Sequence, residues 1–68
     1  MKLDLNKLRI AQVRACLSVD EIVEKTGLSR ATVSKTINGK IYPTPKTIGL
    51  LTKALNVDVT EIIVNEEE

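Results

Sequence analysis

The chain has 68 residues, of which 43% are hydrophobic and 28% are charged, and its formal net charge at pH 7 is +1. This length allows one small domain, and its core must be aliphatic because the chain has no Phe, no Trp and a single Tyr. There is no His, and Cys16 is the single cysteine, which excludes an internal disulfide. We therefore expect no enzyme activity, no cofactor and no metal site.

The N-terminal sequence MKLDLNKLR is charged and amphipathic, and it lacks the apolar stretch of a signal peptide. No run of residues approaches the ~18 apolar residues of a membrane span. A small domain without a disulfide fits a reducing compartment. We expect a soluble, cytoplasmic protein with no membrane partner and no evident small-molecule ligand.

Charge is distributed unevenly along the chain. Residues 1–57 carry ten basic and four acidic side chains, whereas residues 58–68 carry five acidic and no basic ones. Between Lys25 and Val57 there is no acid, but there are six bases including Lys25 itself. This asymmetry is typical of a protein with one face that meets a polyanion, and a randomly solvated surface is the alternative.

Five positions carry the signals of a helix start: a capping residue, with an apolar residue just before it and another four positions after it. The capping residues are Asp4, Ser18, Ser29, Thr44 and Asp58. Ser18 and Asp58 are each followed three residues later by Glu, as in a capping box. The pattern predicts an all-α domain over residues 1–64, followed by an acidic, frayed tail over residues 65–68.

The predicted helices cover, in chain order, residues 5–15, 19–26, 30–38, 45–55 and 59–64. Gly27 ends the second helix and Gly39 closes the third, because a residue without Cβ suits the left-handed conformation after a helix. Pro45 occupies the first position of the fourth helix, where its missing N–H costs nothing. Cys16 is expected to be a small packing residue near the end of the first helix.

The second and third predicted helices are separated by Gly27-Leu28-Ser29 alone. Such a tight turn cannot return the chain antiparallel, and it makes the helices cross at roughly 90–120° as a helix-turn-helix. Leu28 is the apolar plug of this turn. With about 100° per residue, Val33, Thr36 and Ile37 lie on one side of the third helix.

The opposite side of the third helix carries basic, hydroxyl, amide and methyl groups but no acid. Its residues are Arg30, Ala31, Thr32, Ser34, Lys35 and Asn38. Arg reads guanine, Asn reads adenine, hydroxyls read either, and a methyl group contacts thymine. We interpret this side as a base-reading surface; the alternative is an ordinary solvated helix face, which usually includes Glu or Asp.

From Ser18 to Lys40 the sequence follows S-x-x-E-I-V-x-x-x-G-L-S-x-x-x-V-S-x-x-x-N-G-K, and Pro43-Thr44-x-x-Thr47-Ile48 continues it. This ordered set resembles the phage repressor and Cro family of helix-turn-helix proteins, also called the Xre family, over about residues 5–63. The resemblance implies a five-helix, repressor-like bundle. It also implies a Cro/CI-type domain that binds double-stranded DNA through the third helix.

The resemblance further implies the roles of individual residues. Base contacts are implied for Arg30, Ala31, Thr32, Ser34 and Lys35. Phosphate contacts are implied for Ser29, Asn38, Gly39 through its N–H, Lys40 and Tyr42. For Tyr42, packing over the fourth helix is the alternative.

Three positions depart from the family's pattern. Val19 stands where the family usually has a Gln that contacts phosphate, although the helix N-terminus still offers backbone donors. Thr36 replaces a residue that is usually apolar. Ile37 stands where the family often has a Glu that pairs with an Arg, at the position held here by Gln12. Because both halves of that pair are absent, we expect Ile37 to pack against the first helix.

Together these features predict a sequence-specific transcriptional regulator of repressor type that reads the major groove as a homodimer. A palindromic operator with half-sites about 34 Å apart would match the symmetry of the dimer. Val57, Val59 and Ile63 are candidates for the dimer interface, or they close the small core. An alternative function is an antitoxin-like or anti-repressor-like interaction module on the same fold, although interface cores tend to be depleted of Lys.

Overall fold

Four α-helices account for most of residues 2–64, the part of the chain that the computed structural model describes. They are α1 (Leu5–Ala15), α2 (Val19–Thr26), α3 (Arg30–Ile37) and α4 (Pro45–Leu55), and a 3₁₀ turn (Val59–Glu61) follows them. The all-α expectation is confirmed for this part of the chain, which forms helices and no strand. The tail predicted for residues 65–68 lies outside the described residues.

Each α-helix begins at the position that the capping pattern predicts. The side chain before each helix accepts a hydrogen bond from the backbone N–H three residues later. The accepting residues are Asp4, Ser18, Ser29 and Thr44, with N···O distances of 3.1–3.2 Å. These bonds satisfy backbone donors that a helix N-terminus leaves without a partner. Glu21 also accepts from the Ser18 N–H, which completes the predicted capping box.

The core is aliphatic, as the composition requires. Its buried residues are Leu3, Leu8, Ala11, Ile22, Val33, Ile37, Ile48, Leu51, Leu55 and Ile62. Val33 and Ile37 bring α3 into this core, and Thr36 between them has no exposed surface. The Thr36 hydroxyl donates to the Thr32 carbonyl oxygen at 2.7 Å, so its burial leaves no unsatisfied polar group. The expected inward side of α3 is thereby confirmed.

Ile37 is buried in the core to which α1 also contributes, which confirms the expectation that it packs inward. Gln12, at the position where the family often has an Arg, makes a different bond. Its side-chain Nε2 donates to the Leu17 carbonyl oxygen at 3.0 Å. This bond links the end of α1 to the residue that precedes the cap of α2.

The prediction of a fifth α-helix over residues 59–64 is wrong. The 3₁₀ turn Val59–Glu61 is followed by Ile63, which forms an isolated antiparallel bridge with Leu3. The Asp4 N–H donates to the Ile62 carbonyl oxygen at 2.8 Å, and the Val64 N–H donates to the Lys2 carbonyl oxygen at 2.7 Å. Residues 62–64 are β-branched and favour extended backbone. Because a helix this short gains little by itself, pairing with residues 2–4 prevails.

The predicted capping box at Asp58 is present although no α-helix follows it. The Thr60 hydroxyl donates to the Asp58 carboxylate, and this bond is the main cause that lowers the pKa of Asp58 below its ordinary value. Because the pKa of Asp58 is lowered by folding, its carboxylate stabilises the folded state at pH values above the ordinary pKa of an Asp side chain. That contribution is lost as the pH falls through the lowered pKa.

The expectation that Cys16 is a packing residue is wrong. Cys16 is exposed, and it ends α1 in the left-handed conformation with φ of +57°. Its N–H donates to the Val13 carbonyl oxygen at 3.1 Å. Cys16 therefore acts through its backbone, in the role that Gly27 has at the end of α2.

We expect Gly49→Ala to stabilise the fold. Gly49 lies inside α4, and a Cβ added there meets no atom within 4 Å. Because glycine loses more backbone entropy on folding than alanine does, the free energy of unfolding should rise by about 0.5–1 kcal/mol. Urea denaturation measures this change.

Gly27→Ala is the matched control. A Cβ at Gly27 also meets no atom within 4 Å, but its φ of +75° is left-handed. Alanine pays about 1–2 kcal/mol for that conformation, so this variant should be destabilised. Stabilisation by both substitutions would contradict the assigned backbone conformations.

Candidate nucleic-acid interface

The turn between α2 and α3 is fixed by hydrogen bonds around a buried threonine. The Thr26 hydroxyl donates to the Ile22 carbonyl oxygen at 2.7 Å and accepts from the Leu28 N–H at 3.2 Å. Gly27 is left-handed, and its N–H donates to the Val23 carbonyl oxygen at 2.9 Å. Leu28 packs half-buried against the core, as expected of the plug of this turn. The direction in which α3 leaves α2 is thereby determined.

The side of α3 that faces away from the core is accessible to solvent. Its members are the exposed Arg30, Ala31, Lys35 and Asn38 and the half-exposed Thr32 and Ser34. We call these six residues the α3 face. It contains all five side chains for which base contacts were predicted. Their placement on one accessible side agrees with that role, which stays a prediction.

Ser29, predicted to contact phosphate, is the cap of α3. Its hydroxyl accepts from the Thr32 N–H at 3.1 Å and donates to the Thr32 hydroxyl at 2.8 Å. In the free protein the Ser29 hydroxyl hydrogen is therefore already bonded to Thr32. A contact from this hydroxyl to phosphate would require it to turn away from Thr32, whose own hydroxyl hydrogen remains available.

The end of α3 forms a Schellman motif, the paired backbone hydrogen bonds that close many helices at a left-handed residue. The Gly39 N–H donates to the Thr36 carbonyl oxygen at 3.2 Å, and the Lys40 N–H donates to the Lys35 carbonyl oxygen at 2.8 Å. Gly39 has φ of +74°, and a Cβ there would lie 2.5 Å from Leu5 Cδ1. The Gly39 N–H predicted to hold phosphate is thus directed at Thr36 in the free protein.

The loop after α3 is exposed. Tyr42 has 84% of its surface exposed, which does not fit the alternative that it packs over α4. With Leu5 and Lys40 it lines a shallow cavity of about 270 Å³. The Tyr42 hydroxyl and the Lys40 ammonium therefore belong to one accessible loop beside the end of α3, as two phosphate-contacting groups require.

An acid stands beside the α3 face although the sequence has none between Lys25 and Val57. Asp20, in the first turn of α2, forms a charged hydrogen bond with the Arg30 guanidinium, and both side chains stay largely exposed. The charge pattern along the chain did not indicate this pair. No sequence signal could have found it, because Asp20 lies at the end of α2 away from the turn and its distance from Arg30 depends on how the two helices cross.

The N-terminus of α2 offers less to a phosphate than its helix dipole suggests. The Glu21 carboxylate accepts a hydrogen bond from the Ser18 N–H at 2.8 Å, and the Ser18 hydroxyl accepts one from the Glu21 N–H at 3.2 Å. Asp20 and Glu21 also place negative charge in this first turn. With Val19 in place of the family's Gln, the backbone donors expected to compensate are partly in use.

The residues predicted for the dimer interface are half-buried. Val57, Val59 and Ile63 all pack against the core, so they do help to close it. The large apolar side chains of α1 that are most exposed are Ile10 at 57% and Val13 at 75%. The sequence did not single out these two. The role of Val57, Val59 and Ile63 in dimerisation stays a prediction.

Residues 2–64 contain no group of three or more His, Cys, Asp or Glu side chains placed to hold a metal ion. Over the same residues, no helix has both the length and the apolar character needed to cross a membrane.

The chain matches a known protein family. A family model described as Helix-turn-helix matches residues 17–62. The matched segment begins just before the cap of α2 and includes α3, α4 and the 3₁₀ turn. No curated protein and no solved structure matches the chain.

We expect Tyr42→Ala to change the free energy of unfolding by less than about 0.5 kcal/mol, because the side chain is exposed. Leu51→Ala is the contrast, since Leu51 is 1% exposed and its truncation should cost about 2–5 kcal/mol. Thermal and urea unfolding measure both. A loss for Tyr42→Ala as large as that for Leu51→Ala would restore the packing interpretation.

Proposed function

Because the chain belongs to the Xre/Cro-type helix-turn-helix family, whose members are DNA-binding regulatory domains, we propose that it is a sequence-specific transcriptional repressor. Family membership supports DNA binding, and this family is not one of enzymes. The observation that carries the sequence-specific part is the α3 face. It is accessible, it contains no acid of its own, and the burial of Val33 and Thr36 fixes its orientation.

The α3 face enters the major groove in this proposal. The groove of B-DNA is about 12 Å wide and admits an α-helix. Arg30 and Lys35 supply donors for guanine, the hydroxyls of Thr32 and Ser34 donate or accept, and the Ala31 methyl suits thymine. This mixture distinguishes base pairs, whereas a merely basic surface would bind every sequence alike.

Phosphate contacts on the loop after α3 set the register of the helix in the groove. Lys40 supplies charge and Tyr42 a hydroxyl, and both are exposed there. Asn38 is exposed at the end of α3, and its amide lies 3.5 Å from the Ser34 hydroxyl. Such contacts position a protein on the duplex without reading its sequence.

A homodimer completes the proposal. One helix of eight residues contacts few base pairs, and two copies related by a two-fold axis double the length of sequence that is read. The operator is then palindromic, with half-sites about 34 Å apart. Repression follows where the occupied operator overlaps the start of transcription.

The exposed Ile10 and Val13 of α1 favour a second candidate, an antitoxin-like or anti-repressor-like module that binds another protein. The exposed basic residues of the α3 face argue against this candidate, because the cores of protein interfaces tend to be depleted of Lys. A titration with random duplex at low salt separates the two candidates. Binding that weakens steeply with salt favours the regulator, and the absence of any such binding favours the protein-interaction module.

Arg30→Ala should weaken binding to the preferred duplex by about 1–3 kcal/mol and relax one base position. Lys40→Ala should weaken binding to all sequences alike and reduce the dependence on salt. Selection of bound duplexes from a random pool gives the operator, and fluorescence anisotropy over a range of salt concentrations gives both quantities. Equal losses on preferred and random duplex for Arg30→Ala would contradict base contact.

Val59→Ser should weaken self-association if the dimer forms at the C-terminal end, whereas Val13→Ser should leave it unchanged. Sedimentation equilibrium measures the dimer, and binding to a one-half-site duplex against the full operator measures its consequence. The opposite result, a dimer lost only with Val13→Ser, would move the interface to α1. Unfolding curves for both variants show whether either change acts through the core.

A further inference from the structure

We propose that Asp20 is a positioning residue for base recognition: its ion pair with Arg30 orients the guanidinium toward a base and keeps it away from phosphate. This inference rests on the proposed function and deepens it. It assigns part of the sequence selectivity to α2, outside the α3 face.

The ion pair between Asp20 and Arg30 joins the first turns of two helices, and capping hydrogen bonds hold the backbone of each. Asp20 is the second residue of α2, whose first turn is held by the reciprocal bonds between Ser18 and Glu21. Arg30 is the first residue of α3, which is capped by Ser29. Because both backbones are anchored, a hydrogen bond between the two side chains restricts where the guanidinium can lie.

The guanidinium keeps most of its binding capacity in this pair. It is planar and carries five N–H donors in a fixed fork, so anchoring one η nitrogen orients the whole plane. The Arg30 side chain remains 68% exposed and that of Asp20 72% exposed. Donors other than the anchored one are therefore accessible for the O6 and N7 acceptors of guanine. Ordering a free arginine on binding would cost side-chain entropy, which the pair has already removed in part.

The charge of Asp20 acts in the same direction. An arginine at a DNA surface is drawn to the nearest phosphate, and that contact carries no sequence information. A carboxylate beside it repels phosphate and makes this non-specific contact less favourable. Over residues 2–64 the ion pairs are Arg30–Asp20 and Arg14–Glu61. Lys35 and Lys40 have no such partner there, so the acid restrains the one arginine of the α3 face.

The main experiment compares Asp20→Asn with Glu24→Gln. Glu24 is an exposed acid on the same helix, so its variant removes the same charge and leaves the partner of Arg30 in place. Anisotropy titrations give the affinity for the selected duplex, for duplexes changed at the base position that Arg30→Ala relaxes, and for random duplex.

With Asp20→Asn, discrimination at that base position should fall about two- to fivefold, the size expected of an exposed ion pair, while binding to random duplex becomes tighter. Glu24→Gln should leave the discrimination unchanged, and Asp20→Glu should restore part of it. Discrimination that is the same with Asp20→Asn as in the wild type would overturn the proposal.

A double-mutant cycle tests whether Asp20 acts through Arg30. In an Arg30→Ala background, Asp20→Asn should have no further effect on discrimination at that base position. If the effect of Asp20→Asn persisted in full there, Asp20 would itself contact a base, such as the cytosine amino group, and the positioning role would be wrong.

A measurement without DNA separates failure of this inference from failure of the proposed function. In the free protein, the ¹⁵N–¹H heteronuclear NOE of Arg30 Nε should fall with Asp20→Asn and not with Glu24→Gln. An Arg30 signal that is already mobile in the wild type would overturn the positioning role even if the protein binds its operator. A wild-type protein without salt-sensitive binding to any duplex would overturn the proposed function, and this inference with it.

Discussion

The structure depends on the burial of one side of a helix of eight residues. A helix as short as α3 is not stable by itself in water. Val33, Thr36 and Ile37 attach it to the core, and Thr36 can be buried because its hydroxyl bonds to the Thr32 carbonyl. The rotation of α3 about its axis that buries these three residues also exposes the α3 face. The packing of the core therefore determines the orientation of the proposed reading surface.

At both ends of α3, groups that were predicted to bind DNA also form hydrogen bonds that hold the helix. The Ser29 hydroxyl caps the helix, and the Gly39 N–H closes it through Thr36. Each bond stabilises the free protein and removes a donor from the surface. Within residues 2–64 the side chains of Lys40 and Tyr42 carry no such structural bond, so in the proposed complex they supply the main phosphate contacts.

Net charge and charge order along the chain describe this surface only partly. The acid-free stretch after Lys25 does supply the basic side chains of the α3 face. Folding then adds Asp20 from α2, and within residues 2–64 this acid forms an ion pair with Arg30 alone. A surface that were simply positive would bind all DNA more tightly. In the proposed role of Asp20, an acid placed against the one arginine of the α3 face lowers that general affinity and raises selectivity, as specific interfaces often do.

The sequence by itself determined the four helix starts, the turn at Gly27 and the inward side of α3, because caps, left-handed glycines and helical periodicity act between residues a few positions apart. It also predicted the residues of the α3 face, since periodicity that identifies a buried side identifies the exposed one. Only the tertiary structure decided what lies at the C-terminal end. There Ile63 pairs with Leu3 from the other end of the described chain, and no local pattern indicates such a partner. The pairing of Asp20 with Arg30 was decided in the same way, because it depends on how two helices cross.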